Sequence, residues 1–406
     1  MRVGGCTAML AASSALSGAA VAWAIMALRR RPKAVRTVTT KALSSREQLF
    51  APGVDWSAPS ELSSAFAGAF DPILEAFLAH IAGDFKIQSS FVERLRAMSR
   101  YTILGGKCNR AIVLVANTRD LCAYRGIPFV PGPAIILGWC IEILQASFLV
   151  ADDVMDGSVT RRDQPCWYKR DDVKMDAVND ALILESFVFW LIKAEFAADR
   201  DQYVTFMDLF RDTTFQTEIG QLMDLLSQPQ GAKGPDVLKR FSRDTLNKIV
   251  KYKTSYYSFY VPIACSMILS GFDAPEQLRV AEEISMMLGE KFQAQDDFLD
   301  CFGDPEVIGK IGTDIQDHKC TWLLVNALER CSPSQRQIIE TNLGVDDKES
   351  IARVKKVYND LGLPALFAEY EVDSHARIAD LIEANKSIVP PVAFQCALNL
   401  IHKRSR

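Results

Sequence analysis

Two groups of aspartates are the residues whose types and spacing most clearly suggest chemistry. They are DDVMD at residues 152–156, the first acidic motif, and DDFLD at residues 296–300, the second acidic motif. Each follows a mostly apolar run, where a carboxylate is costly unless it is paired or binds a metal. On a helix, the first and last aspartates of each motif lie on one face and repel each other. The pattern therefore predicts that a divalent cation binds between them.

Magnesium fits this pattern, because it is a hard cation that takes oxygen ligands and keeps waters and phosphates in its shell. Two such helices that face each other form a carboxylate-walled cup for a magnesium–diphosphate cluster. The alternative, two helix ends with solvated acids, explains two copies of the motif less well than one. The predicted metal ligands are Asp152, Asp153, Asp156, Asp296, Asp297 and Asp300.

Two cationic groups suggest a second phosphate site. Residues 105–110, Gly-Gly-Lys-Cys-Asn-Arg, place Lys107 and Arg110 just after a glycine turn, and Arg161 and Arg162 follow the first acidic motif. Arginine offers a bidentate donor to phosphate, and lysine offers a point charge. Taken alone, each group is more simply explained as a solvated basic turn. Beside a metal–diphosphate cup, they indicate an anion site that needs no metal.

Lys253 and Thr254 lie in an unusually aromatic helical segment, residues 251–260. The simpler explanation is a surface lysine whose stem lies over apolar surface. The functional interpretation is a lysine and a hydroxyl beside a developing allylic cation and its leaving diphosphate. Further polar residues expected near the cup are Gln216, Asp224, Lys310 and Lys319.

Long helices must position these groups. From Phe70 onward, glycine and proline are sparse and helical periodicity recurs, for example over residues 180–195, 206–226 and 246–269. Sustained period-two alternation does not occur, so a sheet is not expected. We therefore predict an all-α fold, a single large bundle of long helices around a central cavity, over residues 70–406. Residues 47–69 are predicted to be a linker.

The N-terminal segment, residues 1–46, contains no Asp or Glu and several arginines and lysines. This composition is typical of a mitochondrial transit peptide. An uncharged run at residues 6–28 is long enough to span a bilayer, although its Ala, Ser and Gly content makes it weakly hydrophobic. A mitochondrial location is the prediction. A membrane anchor through residues 6–28 and a cytoplasmic protein with a disordered extension are the alternatives.

Overall composition excludes other classes of function. The net charge of −4 gives no basic field for nucleic acid. Ten cysteines occur without a CxxC pair, which favours a reducing compartment and no zinc site. Four histidines form no HExxH pattern, so a zinc hydrolase is poorly supported.

Residues from about 70 to 406 resemble the trans-isoprenyl diphosphate synthase family, in particular its farnesyl-forming members of the animal type. The matching stretches occur in the family's order: GGKCNR, LQASFLVADDVMDGSVTRRDQPCWY, QTEIGQ, IVKYKTSYYSFYVPIA, FQAQDDFLDCFGDPEVIGKIGTDIQDHKC and IHKRSR. The resemblance implies a homodimer that condenses isopentenyl diphosphate with dimethylallyl and geranyl diphosphate to give farnesyl diphosphate. It also implies three Mg2+ ions, for which Mn2+ or Co2+ can substitute.

The resemblance assigns roles to individual residues. Metal ligands by the family pattern are Asp152, Asp156 and Asp296. The allylic diphosphate is expected to bind Arg161, Lys253 and Lys310. Isopentenyl diphosphate is expected to bind Lys107, Arg110 and Arg162, with help from the C-terminal tail at Arg404. Gln145 and Gln216 are further expected substrate contacts, and the residues expected to act in catalysis are Lys253, Thr254 and Arg161.

Three positions depart from the family pattern. Ala111 replaces a usual glycine, and Lys291 stands where the first of two phenylalanines is common. Ser147 and Phe148 stand where the animal enzymes have two phenylalanines, about one helical turn, or roughly 5.4 Å, below the metal ligands. This floor is expected to limit chain length, and Ser147 deepens it. A terpene synthase, a longer-product (geranylgeranyl) synthase and a non-catalytic partner subunit remain alternatives.

Overall fold

The computed structural model describes Leu43, Leu49 and residues 53–228, 235–304 and 312–402. Regular structure in this part of the chain is almost entirely helical, which confirms the predicted fold class. The β structure within the described ranges is one short antiparallel pair, Thr160–Arg161 with Gln164–Pro165. The predictions for Lys310, Arg404 and nearly all of residues 1–46 lie outside the described residues.

The helices before residue 230 are α1 (Pro59–Gly68), α2 (Phe70–Phe85), α3 (Ser89–Ile103), α4 (Asn109–Arg125), α5 (Pro131–Asp156), α6 (Ala177–Phe196) and α7 (Arg200–Ser227). Those after it are α8 (Pro235–Leu238), α9 (Arg243–Ile249), a π-helical segment (Val250–Tyr260), α10 (Val261–Leu269), α11 (Pro275–Phe302), α12 (Trp322–Arg330), α13 (Pro333–Asn342), α14 (Lys348–Asp360), α15 (Leu363–Ala384) and α16 (Val392–Leu400).

Helix α5 lies at the centre of the bundle and ends on the first acidic motif. It packs along α6 and α4, and nearly every side chain from Gly132 to Ala146 is buried. By length and composition alone, two described stretches, Pro59–Phe85 and Pro131–Asp156, could cross a membrane. Most of Pro131–Asp156 is buried inside the protein, so its apolar composition is accounted for by the core.

The packed bundle begins earlier than the sequence analysis placed it. Residues 59–68, assigned there to a linker, form helix α1. Phe66 of this helix stacks on Trp139 of α5 with ring centroids 4.4 Å apart, and the indole of Trp139 donates a hydrogen bond to the Phe66 carbonyl. Burial of Leu62 and Phe66 against the core stabilises a helix too short to persist alone.

Candidate active site

A cavity of about 850 Å³ lies between the C-terminal ends of α5 and α11. Both acidic motifs reach it, since Asp152 and Asp156 line one wall and Asp296, Asp297 and Asp300 line the other. Helix periodicity explains this convergence: each motif projects its first and last carboxylates from one face. The structure thus brings together the two motifs that the sequence singled out.

The carboxylates of the first motif face ammonium groups across the cavity. Asp152 pairs with Lys253 at 3.2 Å, and Asp156 pairs with Lys319 at 2.7 Å. Burial, together with the charge of Asp152, raises the pKa of Asp156. The like-charge repulsion inferred from the i, i+4 spacing is therefore present in the folded protein.

Asp224, on α7, joins the two lysines. Its carboxylate lies 2.6 Å from Lys253 Nζ and 3.1 Å from Lys319 Nζ, and it is 4% exposed. Burial acts to raise the pKa of Asp224, but the two ammonium groups outweigh it and lower that pKa. A buried carboxylate with two cationic partners holds both lysines at the cavity, where they can meet an anion.

The middle aspartate of each motif is engaged by the protein itself. Asp153 is buried and accepts hydrogen bonds from Arg161 at 2.6 and 3.1 Å. Asp297 is buried and accepts from the backbone N–H of Trp322 at 2.6 Å and from Gln293 at 2.8 Å. Burial raises the pKa of Asp297 to about 7. These contacts suit a role in fixing the helix ends.

The outer aspartates fit magnesium. No group of three or more His, Cys, Asp or Glu side chains converges on one point within the described ranges. A magnesium ion does not require such a cage, because it commonly takes one or two carboxylates and completes its shell with water and substrate phosphate. Asp152 and Asp156 offer a repelling oxygen pair of this kind, and the donor set contains only hard oxygen atoms.

The π-helical segment positions Lys253 and Thr254. This geometry is rare in proteins overall, and where it occurs it is often at a functional site. Its wide turn is seen in the Ser255 hydroxyl, which donates to the Val250 carbonyl five residues earlier at 3.0 Å. Gly289 of α11 lets the segment approach, since a Cβ there would collide with Ser255. Thr254 donates to Gln293 at 3.0 Å and so connects this segment to the second acidic motif.

A second cationic region lies beside the cavity and contains no acidic motif. Arg162 donates to the carbonyls of Thr102, Ile103 and Leu104 at 3.2, 3.0 and 2.8 Å, at the end of α3. A Cβ on Gly106 would come within 2.9 Å of the Arg162 guanidinium. The glycine turn and the arginine pair, more than fifty residues apart in sequence, are therefore neighbours in space, as the second phosphate site requires.

Arg110 completes this region and lines the cavity. Its guanidinium donates to Ser258 Oγ at 2.9 and 3.1 Å and lies 4.7 Å from the ring centroid of Tyr257. Arg161 also lines the cavity, whereas Lys107 is exposed on the glycine turn. Of the predicted cations, Lys253 and Arg161 therefore contact the first acidic motif. Arg110 and Arg162 lie in the metal-free region.

Glu142 is a site residue that sequence reasoning missed. It is 3% exposed in the middle of α5 and accepts a hydrogen bond from the backbone N–H of Ala111 at 3.2 Å, near the start of α4. Burial raises the pKa of Glu142, and the charges of Arg110 and Arg162 act in the opposite direction. The available signal was an isolated acidic residue within an apolar run.

The remaining predicted contacts lie away from the open cavity. Gln145 and Gln216 are half-buried and are not among the described residues that line it. Ser147 is buried and donates its hydroxyl to the Leu144 carbonyl at 2.8 Å. Phe148 meets Tyr257 edge-on with ring centroids 5.7 Å apart, and Tyr257 lines the cavity. Phe148 therefore contacts the cavity wall through its ring, whereas Ser147 is not among the described residues that line the cavity.

Comparison with known proteins agrees with this geometry. Residues 92–361 match the profile of the polyprenyl synthetase family. Farnesyl pyrophosphate synthase of Gallus gallus is 42% identical over 349 residues, covering 84% of this chain and 92% of that protein. The Homo sapiens enzyme of the same name is 45% identical over 316 residues, covering 78% of this chain and 74% of that protein.

Solved structures similar to this chain are also prenyl diphosphate synthases. Farnesyl diphosphate synthase from T. brucei, complexed with minodronate, superimposes with a TM-score of 0.79 at 34% identity. The match covers 86% of this chain and 100% of that one. The fold, the paired acidic motifs and these relationships agree, and the chain is a prenyltransferase that belongs to the polyprenyl synthetase family.

Proposed function

We propose that this protein condenses isopentenyl diphosphate with dimethylallyl and geranyl diphosphate to give farnesyl diphosphate. The observation that carries the proposal is the position of Arg110 and Arg162 next to a cavity walled by both acidic motifs. Such a site holds two diphosphates in different ways, one through metal and lysine and one through cations alone. Condensation requires both, whereas ionisation of a single substrate requires only the first.

Each group of residues has a distinct task. Lys253, Lys319 and Arg161 bind oxygens of the allylic diphosphate and stabilise the charge that develops on it as the carbon–oxygen bond breaks. Magnesium, when bound at the outer aspartates, withdraws further charge from that leaving group. Apolar residues of the wall, including Leu246, Ile249 and Phe292, keep water from the carbocation.

The second substrate is held by Lys107, Arg110 and Arg162, with its double bond directed at the allylic carbon. After the new carbon–carbon bond forms, a proton leaves for the released diphosphate, since no histidine or glutamate motif offers a base. From the family resemblance we infer three Mg2+ ions, replaceable by Mn2+ or Co2+, and the outer aspartates are the carboxylates that would hold them.

We infer that the chain forms a homodimer through one face of α6 and α7. Phe215, Leu222 and Leu226 of α7 recur on one side of the helix and are 64%, 49% and 65% exposed. Leu182 of α6 is 59% exposed on the neighbouring helix. A patch of this kind marks an interaction surface, and a second copy supplies the same apolar face. Phe215→Lys should convert a dimer to a monomer in analytical ultracentrifugation, and a monomeric unaltered protein would overturn this inference.

We also propose that residues 1–46 direct the protein to mitochondria, on the basis of their acid-free, basic composition. A fusion of this segment to a fluorescent protein should enter mitochondria. A diffuse cytosolic signal, or a signal on the endoplasmic reticulum, would contradict the proposal and favour one of the alternatives.

Two incubations separate the candidate functions. In the first, purified protein receives Mg2+, dimethylallyl diphosphate and labelled isopentenyl diphosphate, and in the second it receives Mg2+ and farnesyl diphosphate alone. Products are identified after removal of phosphate. Label in farnesol supports the proposal, and label mainly in geranylgeraniol supports the longer-product synthase. Absence of incorporation with hydrocarbon released from farnesyl diphosphate identifies a terpene synthase. Absence of any product identifies a non-catalytic subunit.

A further inference from the structure

The turn that carries Arg162 has an unfavourable backbone. Arg161 pairs with Gln164 in the short β hairpin, so Arg162 and Asp163 are the two turn residues. Their φ angles are 53° and 59°, in the left-handed region that residues with a Cβ rarely adopt. A two-residue hairpin turn with positive φ at both positions normally takes Asn-Gly, Asp-Gly or Gly-Gly. Neighbouring structure must therefore hold this turn in its conformation.

Arg162 itself is held through one side of its guanidinium. The three hydrogen bonds that it donates to carbonyls at the end of α3 all come from Nη1. On the other side, a Cβ on Gly106 would lie 2.9 Å from Nη2. Because the guanidinium is planar, fixing Nη1 sets the direction of Nε and Nη2. Where those two nitrogens meet a phosphate then depends on the position of the turn.

Trp167, just after the hairpin, is fixed by two buried polar contacts. It is 5% exposed, and its indole N–H donates to Asp180 of α6 at 2.7 Å. Arg94 of α3 donates to the same carboxylate oxygen at 2.7 Å, and its guanidinium lies 4.9 Å from the Trp167 ring centroid. Asp180 is also 5% exposed, and a carboxylate so buried is costly unless it is paired in this way. Arg94, Trp167 and Asp180 together form a tryptophan clamp.

A short series of contacts connects the tryptophan clamp to the turn. The ring of Tyr101, on α3, lies 4.9 Å from the Trp167 ring between centroids, and its hydroxyl donates to the Pro165 carbonyl at 2.7 Å. The backbone N–H of Cys166 donates to the Val159 carbonyl at 2.9 Å and closes the hairpin. The position of Trp167 therefore determines where this strand lies, and with it the turn.

We propose that the tryptophan clamp holds the Arg162 turn in its left-handed conformation and so positions Arg162 for binding of isopentenyl diphosphate. The inference rests on the proposed function, which assigns Arg162 to that substrate. The three clamp residues are positioning residues, because none of them is among the described residues that line the active-site cavity.

Hydrogen exchange measured by mass spectrometry on the full-length protein without substrate tests the clamp itself. Trp167→Phe keeps a ring beside Tyr101 and removes the donor to Asp180. Backbone amides of residues 158–166 should then exchange about tenfold faster or more, as expected when a hydrogen bond to a charged group is lost. Arg94→Met, at a partly exposed position, is a second variant and should change exchange in the same direction.

Trp139→Phe is the matched control. It removes another buried indole that donates a hydrogen bond, in this case to the Phe66 carbonyl at 3.1 Å. It should leave exchange of residues 158–166 unchanged. Equal exchange of this segment in Trp167→Phe and Trp139→Phe would overturn the clamp.

Binding of isopentenyl diphosphate, measured by isothermal titration calorimetry without an allylic substrate, tests the purpose of the clamp. Kd should rise about fivefold or more in Trp167→Phe and less than about twofold in the control. KM for dimethylallyl diphosphate should change less than about twofold, because Arg161 has its own partner in Asp153. Faster exchange with unchanged Kd overturns the link to substrate binding. The exchange experiment needs no substrate, so failure of the proposed synthase activity and failure of the clamp give different results.

A double-mutant cycle tests the contribution of the strained turn. Glycine adopts positive φ readily, so Asp163→Gly should relieve the turn. This substitution also removes a negative charge, but the cycle cancels any effect that is the same in both backgrounds. Asp163→Gly should therefore improve Kd for isopentenyl diphosphate at least about threefold more in Trp167→Phe than in the unaltered protein. Equal effects in the two backgrounds would show that clamp and turn are independent, and would overturn the inference.

Discussion

Gly220 of α7 lies directly against the backbone of Lys253, and a Cβ on this glycine would collide with the Lys253 nitrogen. The contact involves main chain, which cannot yield as a flexible side chain can. It sets how closely the π-helical segment approaches α7, and therefore where the Lys253 ammonium meets Asp224 and Asp152.

Gly220→Ala should therefore impair both stability and turnover. Overpacking in a close-packed interior costs about 1–3 kcal/mol, and a displacement near 1 Å of a reacting group can reduce kcat about a hundredfold. Gly83→Ala is the matched control, because Gly83 is also helical and a Cβ there meets nothing within 4 Å. It should be neutral or stabilise by about 0.5–1 kcal/mol. Thermal unfolding and kcat provide the two readouts, and equal behaviour of the two variants would refute the argument.

The outer aspartates should be required for metal-dependent turnover. We expect Asp152→Ala and Asp296→Ala to reduce kcat by several orders of magnitude while the fold survives, because removal of a ligand forfeits several kcal/mol of charge stabilisation. Circular dichroism checks the fold, and Mg2+ titration of the residual rate checks the cause. Activity within about tenfold of the unaltered protein, equivalent to roughly 1.4 kcal/mol, would show that these residues do not hold the catalytic metal.

Much of this site could be predicted because it depends on local patterns. Carboxylates four residues apart at the end of an apolar helix are rare enough to be recognised in one sequence, and long helices follow from periodicity. Contacts between distant segments could not be predicted in this way. Nothing local in Asp224 indicates that it joins Lys253 to Lys319, and nothing in Gly220 indicates a close approach of two helices.

Helix α1 was missed for a similar reason. Its ten residues include Leu62 and Phe66, but so short a helix depends on tertiary packing, here against Trp139. Glu142 was missed because a single acidic residue forms no spacing pattern from which a site could be predicted. Its burial and its hydrogen bond to the start of α4 exist only in the folded chain.

Arg162→Ala should affect substrate binding and stability together. Arg162 caps three carbonyls at the end of α3, so its loss should lower the unfolding free energy by about 1 kcal/mol and raise KM for isopentenyl diphosphate. Lys107 is exposed, and Lys107→Ala should raise the same KM with a smaller effect on unfolding. Kinetics with each substrate varied and thermal unfolding distinguish the two roles. A rise in the allylic KM alone would assign Arg162 to the other diphosphate.

His375 on α15 and His402, whose ring centroids lie 4.5 Å apart, should make the free energy of unfolding depend on pH. Burial, the neighbouring His402 and the charge of Lys291 lower the pKa of His375, while Glu371 opposes them. Because the neutral form is favoured in the folded protein, this stabilisation is fully present above the unfolded pKa of about 6.5 and is lost as pH falls through the lower folded pKa. His375→Phe should flatten the decline in unfolding free energy between about pH 7 and pH 5. An unchanged slope would show that His375 does not contribute.

Product length is the property in which this chain should differ from its relatives. Phe148 retains one ring against Tyr257, which favours farnesyl diphosphate as the main product. Ser147, the preceding residue, occupies less volume than a ring. Some products should therefore reach geranylgeranyl length, or the enzyme should accept bulkier homologous substrates with extra methyl groups, because each methylene buried there contributes roughly 0.8 kcal/mol. Ser147→Phe should shorten or sharpen the product distribution, measured by chromatography of the dephosphorylated alcohols at fixed substrate ratios. Ser147→Ala, which removes the hydroxyl bond to Leu144 without adding volume, should leave the distribution unchanged. Identical products from Ser147→Phe and the unaltered enzyme would mean that this position does not limit the growing chain.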